Sequence, residues 1–131
     1  MLGNTLKIAL AGIVLIPAMV SEGYASASSS YMPSEELIEN CRAFRAYRAG
    51  QDVLYGQKAS QLAFKAAMCW AYIQGVEDDS ALRERSCVPF PTEVDILVGL
   101  FNDYMEANPE ARKYGAASNV NAALQKAYCP K

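Results

Sequence analysis

Four cysteines, Cys41, Cys69, Cys87 and Cys129, constrain this 131-residue chain more than any other feature. Their spacings of 28, 18 and 42 contain no C-x-x-C pair, and the chain has no histidine at all. A zinc site would therefore lack its usual ligand spacing and its commonest nitrogen ligand. The missing histidine also removes the commonest general base. An even cysteine count in a short exported chain reads instead as a disulfide framework.

Export is expected from the N-terminus. Lys7 precedes a 13-residue apolar run, 8–20, and a polar stretch then leads to Ala25-Ser26-Ala27, an A-x-A cleavage site. That run is shorter than the roughly 20 residues a spanning helix needs. We read 1–27 as a cleaved signal peptide, 28–36 as a polar lead-in and 37–131 as one domain. The mature chain would be periplasmic, with no membrane segment. The whole chain carries 12 basic against 14 acidic residues, and the leader removes one of each, Lys7 and Glu22, so the net charge stays at -2. Nothing in that balance points to nucleic acid.

Helical periodicity fills the rest. Ser34 reads as an N-cap followed by Glu35 and Glu36, with Leu37, Cys41, Phe44 and Tyr47 on one stripe. Gly50 and Gly56 bracket a break. A second helix is expected over about 60–77, with the seam Leu62, Ala66, Cys69, Ile73 and Val76, flanked by Trp70. Gly75, near its end, reads as a close-packing or helix-ending glycine. A charged connector, 78–86, follows. Pro89 and Pro91 exclude helix, Thr92 reads as the next N-cap, and Val94, Leu97, Val98, Phe101 and Met105 form a third stripe. Asn108 as N-cap and Pro109 at the first helical position open a fourth helix lined by Tyr114, Ala117, Val120, Leu124 and Tyr128. No segment alternates as a strand would. The expectation is an all-α fold, a small four- to five-helix bundle.

Short connections make consecutive helices antiparallel, which sets the start of the third helix beside the end of the fourth. Cys87 precedes the one and Cys129 ends the other. We therefore expect Cys87–Cys129, leaving Cys41–Cys69 to join the first two helices. Closing loops of these lengths would stabilise by roughly 3.6 and 4 kcal/mol in the chain-entropy account.

An ordered set of residues then resembles a known family. Cys69, Tyr72, Ile73, Gly75, Val76 and Asp78 are similar to the C-x-x-Y-[IV]-x-G-V-x-D signature of the Rap/Tai immunity proteins of bacterial type VI secretion. Cys87-Val88-Pro89 resembles the family's C-[IV]-P, Asn108-Pro109-Glu110 its N/H-P-E, and Ala123-Leu124 with Cys129 its closing A-L…C. Cys41 fits the upstream cysteine. The chain departs from the pattern at Phe90-Pro91, where small residues are usual, at Tyr128, and in lacking a histidine near Arg112 and Lys113. The resemblance implies a periplasmic helical protein that binds a cognate peptidoglycan amidase effector and occludes its cleft, with a homodimer as a further expectation. It implies no cofactor.

Function and scaffold divide as follows. Cys69, Ile73, Gly75 and Val76 read as core. Glu77, Asp78 and Asp79 lie off the apolar seam, and read either as a solvated helix end or as carboxylates offered to a partner. Tyr72 and Trp70 read either as core or partly covered residues or as partner contacts. With Arg83 and Arg85, and with Tyr72 as aromatic anchor, the three acids form the expected partner-binding set. An enzyme is not expected, because no nucleophile has an adjacent base and nothing converges on the acids. The alternative is a general periplasmic protein of chaperone or stress type, which a toxin gene next door would argue against.

Overall fold

The computed structural model describes residues 31–50 and 56–130. The expected leader, the first three residues of the lead-in (28–30), 51–55 between the two bracketing glycines, and 131 lie outside the described residues.

Four α-helices form the domain: α1 (Ser34–Arg48), α2 (Gln57–Leu82), α3 (Val94–Ala107) and α4 (Ala116–Tyr128), with a 3-10 helix (Pro109–Lys113) between the last two. This is the expected all-α bundle. Among the described residues no strand is present, and no helix is long and apolar enough to cross a membrane. The core is built largely where the first three stripes predict it. Leu37, Cys41 and Phe44 from α1 meet Ala66, Cys69 and Ile73 from α2, and Leu97, Val98, Phe101 and Met105 from α3 close over them. Tyr47, expected on the same stripe, is 42% exposed.

Both disulfides form as expected. Cys41–Cys69 joins α1 to α2 across 4.9 Å between Cα atoms. Cys87–Cys129 ties the stretch before α3 to the end of α4 across 5.1 Å, and no described cysteine is free.

The helix ends correct the sequence reading. Ser34 is the first residue of α1, not its cap: Pro33 holds that position without a side-chain bond. The Ser34 hydroxyl donates to the Tyr114 carbonyl at 2.7 Å instead. Glu93, not Thr92, precedes α3, and the Thr92 hydroxyl donates to the Pro89 carbonyl. Asn108 precedes the 3-10 helix without capping it; its side-chain amide turns back to the Tyr104 carbonyl at 2.7 Å and satisfies the end of α3. Pro109 does open that helix. In each case a local bond that the sequence suggests yields to another acceptor.

Two helices also differ in extent. The fourth is divided, and Gly115 between its halves shifts the apolar register. Ala116, Val120, Ala123 and Leu124 are buried, while Tyr114 is 54% exposed and Ala117 is exposed. The second runs five residues beyond Glu77, through both aspartates, to Leu82. Buried Ser80 sustains that extra turn, its hydroxyl donating to Asn121 Oδ1 of α4 at 2.7 Å. The helix then stops in a Schellman motif, in which Glu84 N–H reaches the Ala81 carbonyl at 3.0 Å and Arg85 N–H the Ser80 carbonyl at 2.9 Å. Glu84 takes the left-handed conformation this requires, with φ 55°.

Gly75 is a plain correction. It is exposed inside α2, and a Cβ there would meet nothing within 4 Å. It neither mediates helix packing nor ends the helix.

Candidate functional site

The longer α2 turns the expected charged connector into two parts. Asp78 and Asp79 belong to the last turns of α2, and the non-helical connector is 83–93. Between them runs a cleft of about 490 Å³. One wall is a single stripe of α2: Trp70, Gln74, Glu77, Asp78 and Ala81, which the 3.6-residue turn brings to one side. The other wall is the connector around Phe90 with Val94 and Leu97 from α3.

Ser86 fastens the two walls. Its hydroxyl donates to the Glu77 carboxylate and accepts from Val88 N–H at 3.0 Å. Cys87, next in sequence, bolts the connector to α4. At the rim, between Pro89 and Pro91, Phe90 is 99% exposed, and its bond to Pro91 is cis. Burying such a ring against a partner would gain about 2 to 3 kcal/mol, while holding it in water gains the domain nothing. Trp70, 45% exposed, stands between this cleft and a shallower one of about 320 Å³ bounded by Phe44, Tyr47 and Val94. Arg48 and Asp95 close that second hollow, Arg48 Nε and Nη2 both donating to Asp95 Oδ2, at 2.9 and 2.6 Å.

The structure brings together only part of the expected partner-binding set. Glu77 and Asp78 face the cleft. Asp79 and Arg83 pair with each other at 2.9 Å, one turn apart and both largely exposed. Such a pair contributes about 0.3–0.5 kcal/mol. Arg85 lies on the far side of Ser86, in a narrow crevice beside Asn121 and Gln125 of α4. Tyr72 projects from the opposite side of α2, about half a turn from Trp70. Its hydroxyl meets the backbone of Ala117 in the first turn of α4, and burial, with Tyr31 nearby, pushes the phenol above its ordinary pKa. Tyr72 therefore ties α2 to α4.

Phe90 was visible in the sequence only as a departure from the family pattern, and nothing in its periodicity places it beside Glu77. Trp70 carried a weak signal, flanking the α2 seam without belonging to it.

A family model of the Rap1a immunity proteins matches residues 34–129. The chain belongs to that family. The match spans all four helices and both disulfides. No curated protein and no solved structure matches the chain. Membership in the Rap1a immunity family points to an immunity function, exercised by binding a cognate effector. Family members of this kind are generally inhibitors, and the cleft described above offers binding chemistry: an apolar wall, an exposed ring and two carboxylates.

Proposed function

We propose that this protein is a periplasmic immunity protein that binds and inhibits a peptidoglycan amidase delivered by type VI secretion. Its interface is the face formed by α2 and the 83–93 connector. The observation that carries the reading is Phe90, an almost fully exposed ring on a loop held by Cys87–Cys129, in a chain of the Rap1a immunity family. A tethered loop loses less entropy on docking than a free one, so more of its contact energy becomes affinity. Glu77, Asp78 and Trp70 supply the surrounding polar and apolar contacts. The amidase class and the periplasmic location rest on the family resemblance, the A-x-A leader pattern and the disulfides. A homodimer is proposed on the resemblance alone, and sedimentation of the mature chain tests it.

The test is direct. Calorimetry of the mature protein with its cognate type VI amidase should give a saturable complex. Peptidoglycan digestion by that amidase should stop at one equivalent. Full digestion in the presence of excess protein would refute the reading.

A further inference from the structure

The groove between α2 and the connector has a chemistry that selects its occupant. Its lining includes two carboxylates, Glu77 and Asp78, and no lysine or arginine. Glu77 receives the Ser86 hydroxyl, whereas Asp78 has no hydrogen-bond or ion-pair partner among the described residues. The opposite end is apolar, at Trp70, Val94 and Leu97. A metal ion is a poor occupant, since among the described residues no group of three or more acidic or cysteine side chains could hold one.

From this charge pattern we infer that the groove receives an extended segment of the effector carrying a basic side chain, Arg or Lys, opposite Glu77 and Asp78. The same segment places an apolar side chain against Trp70. The spacing follows from the helix. Trp70 and Asp78 are eight residues apart on α2, about 12 Å at roughly 1.5 Å per residue. An extended chain covers about 12 Å in three or four residues at roughly 3.3 Å each. The segment therefore has an apolar residue three or four positions from the basic one. Its guanidinium or ammonium group would pair with the free Asp78 carboxylate through a charge-assisted bond, which is stronger than one between neutral groups. This inference rests on the reading that this face meets an effector, and it adds which residues of the effector the face selects.

Trp70 is the only tryptophan in the chain, so its emission reports occupancy of the groove. The probe is a blocked hexapeptide, acetyl-Ala-Leu-Ala-Ala-Arg-Ala-amide, with a second peptide carrying citrulline, the neutral isostere, in place of arginine. The arginine peptide should change Trp70 emission saturably. The citrulline peptide, and the Asp78→Asn variant with the arginine peptide, should each bind at least about tenfold more weakly, the scale of one lost charge-assisted bond. Asp78 is exposed, so this variant should melt like the wild type. Glu77→Gln provides a second variant. Equal binding of the two peptides, or no saturable change into the millimolar range, would overturn the inference. Calorimetry with the amidase separates it from the reading beneath it. Unchanged affinity of Asp78→Asn would overturn the groove assignment and leave the immunity function standing. Amidase that ignores the wild-type protein, beside a groove that still prefers arginine to citrulline, would uphold the groove's selectivity and overturn the amidase as its source. A dimer that dissociates on Asp78→Lys without any effector would assign the groove to a second copy and overturn the inference.

Discussion

Asn119 donates its side-chain amide to Ser34 Oγ at 2.8 Å, joining two residues 85 positions apart at a site where both are almost fully buried. The same amide donates to the Ala111 carbonyl at 2.8 Å, and the Ser34 hydroxyl in turn donates to the Tyr114 carbonyl. One amide thus fastens the start of α1, the 3-10 helix and α4. Asn119→Ala would leave the Ala111 carbonyl without this donor in a site closed to water. We expect a loss of about 2–3 kcal/mol, read as a lower urea midpoint with an unchanged slope. Wild-type stability in this variant would contradict the network's role.

Gly75→Ala should stabilise the protein. The position is an exposed helix interior with open space around it, so the added methyl brings helix propensity without a clash, worth up to about 1 kcal/mol. Thermal melting checks it, and a lower midpoint would show that another surface packs there.

Glu84→Gly should also stabilise. Glu84 holds φ 55° as the left-handed residue after α2, a conformation costing a side-chain-bearing residue roughly 1–2 kcal/mol. Glycine avoids that cost and gives back part of it through unfolded-state entropy, leaving a gain of about 0.5–1 kcal/mol by chemical denaturation.

Tyr72→Phe should cost about 1 kcal/mol through the lost bond to the Ala117 backbone, with effector affinity unchanged. A pH dependence accompanies it. Burial raises the folded-state pKa of the phenol, so folding favours its neutral form. That contribution is complete below the ordinary phenol pKa near 10 and declines as pH rises past it. The Phe variant should show a shallower alkaline loss of stability than the wild type as pH rises above about 10.

Phe90→Ser should leave the melting temperature within about 1 °C, because a ring with 99% of its surface in water contributes nothing to the core. Affinity for the amidase should fall by about 2 kcal/mol, the scale of an interface hot spot. Unchanged binding in calorimetry would remove Phe90 from the interface.

The stripes that became core were legible because burial of one helix face imposes a period that the residues must carry. Leu37, Cys41 and Phe44 show it, as do Leu97, Val98, Phe101 and Met105. The cysteine pairing was legible because antiparallel neighbours leave few ends close together. The caps were not. Ser34, Thr92 and Asn108 all have side chains that favour helix starts, yet each finds another acceptor, and no local spacing reveals that competition. The end of α2 was misplaced for a related reason. Asp78 and Asp79 look like a helix terminus, but the turn beyond them is held by Ser80 and Asn121, 41 residues apart. The candidate site suffered most, because its two walls come from separate elements. Only their assembly shows that Glu77 and Asp78 share a groove with Phe90 while Tyr72 serves α4.

The bolt between Cys87 and Cys129 has a consequence for timing. Cys129 lies 42 residues beyond its partner, so a chain emerging N-terminus first presents the connector well before the anchor that locks it. α1 and α2 can be stapled early, but the groove gains its fixed wall only after α4 has emerged and the second pair of thiols has been oxidised. On the proposed reading of this face, recognition is the last property this chain acquires, and it acquires its full form where an oxidant is at hand. A copy retained among cytosolic reductants would lack both staples, leaving the connector held by packing and by the Ser86–Glu77 bond.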